Sequence, residues 1–249
     1  MKICGFLQVY NELEKGNLKR CITNMKKYCD YICVFDDGST DGSTEYLIKE
    51  GCKVIKGLKN DFLNETSHKQ QLLDFALKHC LDIDWFFWLD ADEVLDANGT
   101  KNLREFCEKA DKEGYYFPEI TLWRSESWAR KDYLGNGRFL RLWKNNGNLK
   151  FNIAHGLHNQ LYPEGLSSLG DAPFNVIHYG YATKKAVVDR FIERTKYGVP
   201  FDFRKKGIDE SEMILESVSP NLFPEGCEPI RTEKPQPIKY PECEALMKW

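Results

Sequence analysis

Apolar and polar segments alternate along residues 1–100 with the spacing of strands and helices. Four short apolar runs have the length of buried strands: 3–10, 31–35, 52–55 and 85–89. Three segments between them carry apolar residues at helical spacing: 13–28, 44–50 and 66–79. This alternation predicts an α/β fold with a parallel central sheet flanked by helices. In such sheets, ligands bind at the carboxyl ends of the strands.

The second half of the chain has a different pattern. Segments 115–123 and 138–143 predict strands. The polar, glycine-containing stretch RSESWARKDYLGNG between them predicts a loop. Residues 183–197 predict an amphipathic helix that Gly198 ends.

The composition fits one domain with an extension. The chain has 249 residues, of which 42% are hydrophobic, and this is enough for a substantial core. Six of its ten prolines follow Ser217. We therefore expect one domain at 1–216 and an extended, proline-rich C-terminal tail at 217–249.

The net charge, the apolar runs and the cysteine content indicate which partners and which cellular compartment to expect. The net charge of −3 gives no general attraction to nucleic acid, so no nucleic-acid partner is expected. No run approaches the roughly 18 apolar residues of a membrane span, and the start of the chain is too quickly polar for a signal peptide. The nine cysteines are odd in number and lack zinc-ligand spacing, which predicts reduced core thiols. We expect a soluble, cytoplasmic protein without a transmembrane segment.

The stretch WFFWLDADEVLD at 85–96 leads an unbroken apolar run directly into four acids. The run predicts a strand buried on both faces, so the acids should lie at the rim of the sheet. Asp90 and Asp92 are two positions apart, and on an extended chain their side chains leave the same face. Clustered carboxylates repel one another unless a cation lies among them, and Mg²⁺ or Mn²⁺ prefers oxygen ligands. The alternative is a solvated acidic loop.

A second acidic motif, FDDGSTDGS, follows the run at 31–35. A cap for the next helix would by itself explain its serine and aspartate residues. It would not explain Asp36 and Asp37 at the very end of a strand. A carboxylate there can accept hydrogen bonds from a base or from ribose hydroxyls, so we expect this loop to contact a nucleotide.

The motifs QVYNE, VFDDGSTDGS and FFWLDADEVL, in this order and spacing, resemble those of the family 2 nucleotide-sugar glycosyltransferases of the GT-A fold. The resemblance is close over residues 1 to about 100 and looser to about 198. It implies a Rossmann-like, mostly parallel sheet, with a nucleotide-binding half at 1–100 and an acceptor half at 101–216. It also implies a nucleotide-diphospho-sugar donor, a glycan or other hydroxyl acceptor, and a divalent cation (Mn²⁺ or Mg²⁺) as cofactor.

The resemblance implies roles for individual residues by position. The residues that would line the nucleotide site are Val9, Asn11, Glu12, Asp36, Asp37, Lys69 and Asp90. Lys69 and Gln70 stand where the family often has an Arg-Asn pair at the start of the helix, so the sequence departs from the family pattern at the diphosphate contact. Asp92 would be the main metal ligand, assisted by Asp90 and by His178 of the VIHYGYAT segment, although a lone histidine there is more often structural. His68 and His79 are expected at the surface.

Members of this family resemble one another in inverting the anomeric centre, which requires one general base for the acceptor hydroxyl. The acceptor should enter from the side built by residues 115 to 180, because the nucleotide occupies the first half. The candidates for the base are Asp132 in the polar loop and His158, with Glu126 behind them.

Two other functions remain open at this point. A sugar-phosphate nucleotidyltransferase shares the architecture and the use of a metal, but it normally needs a glycine-rich basic loop after the first strand, and QVYNELEKGN is not one. A non-catalytic nucleotide-sugar-binding module would have lost its base. Asn159 fits that alternative, because it replaces the acid of a His-Glu pair that is common in related enzymes.

Overall fold

The computed structural model describes residues 1–132, 137–156, 160–196, 210 and 213–238. The first four strands are β1 (Ile3–Val9), β2 (Tyr31–Asp36), β3 (Lys53–Lys56) and β4 (Trp85–Trp88). The helices between them are α1 (Asn17–Met25), α2 (Ser43–Lys49) and α3 (Glu65–His79). The strands pair in parallel in the order β3-β2-β1-β4. The predicted strand-helix alternation and the α/β class are confirmed.

The sheet continues beyond β4 with strands from the second half of the chain. The remaining strands are β5 (Glu93–Leu95), β6 (Gly114–Thr121), β7 (Trp128–Arg130), β8 (Arg138–Lys144), β9 (Leu169–Asp171), β10 (Val176–His178) and β11 (Leu215–Ser217). The remaining helices are α4 (Ala97–Lys109) and α5 (Lys184–Lys196), with short 3₁₀ turns at Phe62–Asn64 and Pro220–Leu222.

The direction of the added strands determines which strand ends lie on the same side of the sheet. The order continues β4-β8-β6-β10-β5, and β8 runs antiparallel to both β4 and β6. Because of these two reversals, β6 runs in the same direction as β4. Strand β10 is parallel to β6. The carboxyl ends of β1, β2, β4, β6 and β10 therefore lie on the same side of the sheet.

Strand β4 is buried on both faces, as its sequence predicts. Trp85 and Phe87 belong to one apolar cluster, and Phe86 and Trp88 belong to a second cluster on the other face. The ring of Phe6 on the neighbouring strand lies 5.1 Å from that of Trp88, measured between centroids. Burial of these aromatic side chains supplies much of the hydrophobic stabilisation of the sheet.

Two features differ from the sequence predictions. The apolar pattern did not predict helix α4. Asp96, the last acid of the 85–96 stretch, caps the N-terminus of this helix. Its carboxylate accepts a hydrogen bond from the Gly99 backbone N at 2.7 Å and others from the Asn175 N and Nδ2 atoms at 2.8 Å. The predicted polar loop contains β7, which pairs with β11. Three-residue strands whose partner is far away in sequence leave no periodic pattern.

The described part of the tail packs against the body. The side chains of Phe223 and Cys227 are buried in an apolar cluster with Ile177 and Tyr179. Thr232 Oγ1 lies 2.6 Å from the Ser125 hydroxyl. No helix among the described residues is both long and apolar enough to cross a membrane.

Candidate active site

Asp92 and His178 meet at the carboxyl ends of β4 and β10. Asp92 Oδ2 lies 3.4 Å from His178 Nε2. Strands β10 and β5 pair so that His178 stands opposite Glu93, and the Tyr179 N atom donates to the Asp92 carbonyl at 2.8 Å. Backbone pairing therefore fixes this approach of two of the predicted metal ligands.

The other ring nitrogen of His178 faces a second carboxylate. Nδ1 lies 3.2 Å from Glu119 Oε1 on β6, and the same oxygen accepts a hydrogen bond from the Thr121 hydroxyl at 2.6 Å. Burial disfavours the imidazolium form, but the carboxylates of Asp92 and Glu119 raise the pKa of His178 well above its usual value. The histidine is thus held in one orientation between two acids.

Arg190 of α5 brings a positive charge to the same place. Its guanidinium donates a hydrogen bond to Asp92 Oδ2. Burial opposes the ionisation of Asp92, yet the charges of Arg190 and His178 hold its pKa well below the usual range. The space between these groups depends on Gly180. A Cβ atom at that position would stand 2.4 Å from His178 Nε2 and 2.6 Å from Asp92 Oδ2.

The spacing of Asp90 and Asp92 suggested that their side chains leave an extended chain on the same face. The chain is not extended there, and the two side chains have different surroundings. The chain turns after Leu89, and the Glu93 N atom donates to the Asp90 carbonyl at 3.0 Å. The Asp90 side chain is 55% exposed, whereas that of Asp92 is 5% exposed. Asp90 Oδ1 accepts a hydrogen bond from Trp88 Nε1 at 3.2 Å. Asp90 therefore lies at the open rim and Asp92 inside it.

The loop after β1 contributes Asn11 and Glu12. The Glu12 carboxylate accepts from Lys15 Nζ at 2.7 Å and from Asn17 Nδ2 at 3.1 Å. Burial and the neighbouring charge of Asp92 raise the pKa of Glu12. Asn11 Oδ1 accepts from the Thr40 N atom at 2.8 Å, which connects this loop to the acidic loop after β2. Val9 is buried at the end of β1.

The two acids at the end of β2, Asp36 and Asp37, are hydrogen-bonded within the protein. Buried Asp36 accepts hydrogen bonds from the Ser39 N atom at 2.8 Å and from the Thr44 hydroxyl, so it organises the start of α2. Asp37 accepts from the Asp61 N atom at 3.0 Å and from Asn60 Nδ2 at 2.9 Å. Burial raises the pKa of Asp37 to about 6. Both oxygens of each carboxylate accept hydrogen bonds, and the two acids differ in exposure: Asp36 is 0% exposed and Asp37 is 4% exposed.

His68 is not at the surface, contrary to our expectation. It is buried, its ring stacks on Phe35 with 4.2 Å between centroids, and its Nδ1 lies 3.8 Å from Asp37 Oδ1. His79 is exposed, as expected. His68 faces the sheet because it lies one helical turn before Leu72, on the buried side of α3.

The surroundings of Lys69 do not support a direct diphosphate contact. Its side chain is 1% exposed, and its ammonium donates to Glu65 Oε1 at 2.5 Å and to the Gln160 carbonyl at 3.1 Å. The ammonium also lies 4.8 Å from the centre of the Trp88 ring. Lys69 is thus enclosed beneath Trp88 and supports the side chain that hydrogen-bonds Asp90.

The candidate bases have different surroundings. Arg130 binds Asp132 through Nη2 at 2.7 Å and Nε at 3.1 Å. Arg130 lies over the Trp123 ring, and that ring stacks on Tyr181. Glu126 accepts from Arg20 and from a backbone N of the tail, which makes it an anchor rather than a base. His158 lies outside the described residues.

Three residues of the candidate site were not predicted from the sequence: Glu119, Gly180 and Arg190. The HYGY segment carried a signal for Gly180, because a glycine next to a proposed ligand indicates close approach of other groups. Glu119 and Arg190 carried none, since their roles depend on the pairing of β6 with β10 and on the packing of α5.

Together, the fold and the site define an α/β protein with acidic loops and an aspartate–histidine pair at the carboxyl ends of its strands. The chain belongs to the glycosyl transferase family 2, whose sequence profile matches residues 6–158. This match confirms the predicted family and the fold class that the resemblance implied.

Several solved structures are similar to the chain. S. aureus TarS 1-349 in complex with UDP-GlcNAc is 16% identical, with a TM-score of 0.38, over 49% of this chain and 34% of that one. The mannosyltransferase PcManGT from Pyrobaculum calidifontis, in complex with GDP-Man and Mn²⁺, is 16% identical, with a TM-score of 0.46, over 80% of this chain and 62% of that one. The match thus spans about a third of the TarS chain. No curated protein matches the sequence.

Proposed function

We propose that this chain transfers a sugar from a nucleotide-diphospho-sugar to an acceptor hydroxyl, with inversion, and uses Mn²⁺ or Mg²⁺. Family membership supports glycosyl transfer as the reaction. The observation that supports the metal is the approach of Asp92 Oδ2 to His178 Nε2 at 3.4 Å on the carboxyl side of the sheet.

The residues present fit such a cation. Two donor atoms that bind one Mg²⁺ or Mn²⁺ at about 2.1 Å stand about 3 to 3.5 Å apart, which matches the Asp92–His178 separation. A carboxylate and a neutral imidazole are suitable ligands for Mn²⁺. Glu119 on Nδ1 of His178 is the kind of partner that orients a ligating histidine. Asp90, at the rim, is the candidate third protein ligand or ribose contact.

The metal would stabilise the departing nucleoside diphosphate by neutralising charge on its phosphate oxygens. The residues of the chain have separate tasks in this proposal. Asp92 and His178 hold the cation, and Asp90 accepts hydrogen bonds from the ribose. Arg190 exchanges its bond to Asp92 for a phosphate oxygen, because a guanidinium binds phosphate in a bidentate manner. Gly180 leaves room for these groups.

The nucleoside would lie over the loops that follow β1 and β2. Asn11 and Glu12 line one side. Asp37 is the better candidate of the two acids for a base or ribose contact, because Asp36 is fully buried whereas Asp37 is 4% exposed. Lys69 would act indirectly, by supporting Trp88 beneath Asp90.

Asp132 and His158 remain the candidates for the base that deprotonates the acceptor hydroxyl. Asp132 is paired with Arg130, which lies over the Trp123 ring. Trp123 stacks on Tyr181, and the Tyr181 ring lies 5.6 Å from that of His178, measured between centroids. This series of contacts supports a position of Asp132 on the same side as the proposed metal ligands. We favour Asp132 as the base.

We also propose a cytoplasmic location, which fits the free cysteines of the described core.

The family match argues against a sugar-phosphate nucleotidyltransferase. The remaining alternative is a non-catalytic module that binds a nucleotide-sugar. Release of free nucleoside diphosphate, with and without acceptor, separates an enzyme from a binding module. A thermal-shift screen of UDP-, GDP- and dTDP-sugars with Mn²⁺ would find the donor, because a ligand at 100 times its dissociation constant adds about 2.7 kcal/mol.

The decisive variant is Asp92→Asn. It should retain the fold, lose most Mn²⁺ binding in calorimetry and lose transfer, because the amide cannot supply the charged ligand. Asp189→Asn is the matched control, since Asp189 lies on α5 and pairs with Lys185 at the surface. Unchanged Mn²⁺-dependent turnover in Asp92→Asn would refute the metal assignment.

A further inference from the structure

Three buried cysteines from different elements converge inside the sheet half of the protein. Cys4 lies on β1, Cys33 on β2, and Cys80 directly follows α3. Their sulfur atoms all lie within 4.8 Å of one another, and the Cys33 and Cys80 sulfurs are 3.5 Å apart. No other group of three possible ligands at this spacing is found among the described residues.

The cluster is separate from the candidate active site. Cys4 pairs with Tyr31 at the start of β2, and Cys33 pairs with Lys53 at the start of β3. The cysteines therefore lie towards the amino ends of the strands, whereas Asp92 and His178 lie at the carboxyl ends. Neither the proposed transfer reaction nor its metal uses these thiols.

The spacing suits coordination of one central atom by three sulfurs. Sulfurs that share one centre at about 2.3 Å stand roughly 3.5 to 4 Å apart. The Cys33–Cys80 separation already has this value, and Cys4 needs to move by less than about 1 Å. The hydrogen bonds among these thiols lower the pKa of Cys80, the bond with Cys33 contributing most and that with Cys4 next.

The apolar surroundings of the three cysteines favour a bound atom whose charge neutralises three thiolates. The cluster is enclosed by apolar side chains, among them Leu73, Ala76, Ile83 and Phe86. Three thiolates with a univalent or divalent cation leave net negative charge in this apolar core, which is costly even with Lys53 nearby. A trivalent centre leaves none. Cys80, at the end of α3, is the most exposed of the three residues, at 4% against 0% for Cys4 and Cys33.

We propose that Cys4, Cys33 and Cys80 form a three-thiol binding site for trivalent arsenic, which enters as arsenous acid. Each thiol forms one As–S bond, each of the three As–O bonds breaks, and each departing hydroxide leaves as water with the thiol proton. Arsenic stays trivalent, and the product is neutral. The bound atom ties β1, β2 and the end of α3 together.

Native mass spectrometry of the phosphine-reduced protein with arsenous acid tests the site. The wild type should gain one arsenic atom and lose three hydrogens, with a raised midpoint of thermal unfolding. Cys4→Ala, Cys33→Ala and Cys80→Ala should each lose this adduct and retain at most one that has lost two hydrogens. Cys52→Ala is the matched control, because Cys52 is buried on the other side of the sheet.

Several outcomes would overturn the proposal. The wild type would take up no arsenic, or its adduct would show the loss of only two hydrogens. The three-hydrogen adduct would persist in Cys80→Ala. The wild-type mass alone decides the number of thiols, so the test holds even if one alanine variant fails to fold. It is also independent of transferase activity.

Discussion

Gly180 shows how the lack of one side chain sets the geometry of the site. A Cβ atom there would stand within 3 Å of His178 Nε2, Asp92 Oδ2 and Arg190 Nη2. The Arg190 guanidinium can move aside, but the His178 and Asp92 atoms cannot give way cheaply, because both side chains are largely buried and paired with other charged groups. The position therefore requires glycine for reasons of space, not because of its backbone angles.

We predict that Gly180→Ala lowers the affinity for Mn²⁺ at least tenfold, since the new methyl group separates the two ligands. Calorimetric titration with Mn²⁺ measures this. Gly170→Ala on β9 is the control, because its Cβ would come no closer than 3.2 Å to its neighbours, Lys112 and Tyr115, and would not touch the Asp92–His178 pair. Equal Mn²⁺ affinity in the two variants would contradict the role given to Gly180.

Glu119 is predicted to act through His178. Glu119→Gln removes the charge that faces Nδ1, so the ring is held less firmly, and the Mn²⁺ concentration for half-maximal transfer should rise about 10- to 100-fold. Nucleotide binding without metal should not change. Glu113→Gln, at the surface, is the control. If the metal requirement stays the same while only stability falls, Glu119 has a purely structural role.

At the scale of elements, the sequence predicts best where a segment is long and its partner is near. The run at 85–89 identifies β4 because burial on both faces requires continuous apolar residues. Strands β7 and β11 have three residues each and pair across most of the second half, so they leave no local pattern. The meeting of Asp92 and His178 was expected from family resemblance alone, because it depends on the register between β10 and β5.

The loop after β2 should make stability depend on pH. In the folded protein the pKa of Asp37 is about 6, above that of an unfolded aspartate at about 3.9. Between these values the folded state holds a proton that the unfolded state has released, so the contribution of Asp37 falls as pH rises from about 4 to 6 and is then constant. Relative to Asp37→Asn, the wild type should lose about 2 kcal/mol over this range.

Urea unfolding of both proteins at several pH values measures this difference. The neighbouring groups His68, Asp61 and Asp36 are present in both, so their titration cancels to first order. Asp74→Asn, on the exposed side of α3, should follow the wild type at every pH. A wild-type advantage over Asp37→Asn that grows with pH would reverse the sign and exclude the explanation.

On the scale of the whole molecule, the tail is part of the packed structure. The ring of Phe223 is 6% exposed and lies 6.4 Å from the Tyr179 ring, next to the strand that carries His178. We predict that Phe223→Ala lowers the free energy of unfolding by about 3 kcal/mol, the usual cost of such a cavity. Ile230→Ala, 71% exposed in the same tail, should change it by less than about 0.5 kcal/mol. Urea unfolding distinguishes the two, and equal losses would show that the tail contributes no specific packing.

The pairing of Asp92 with His178 and Arg190 also orders events during synthesis. Asp92 leaves the ribosome with the first half of the chain, while both of its partners belong to the second half. Until they arrive, burial of this carboxylate is unfavourable, because an isolated charge in the interior lacks compensation. The nascent parallel sheet can therefore pair its first strands early but cannot close its carboxyl edge. Completion of this edge becomes a late step of folding, and a chain that terminates before Arg190 retains the loops after β1 and β2 but leaves the edge unclosed.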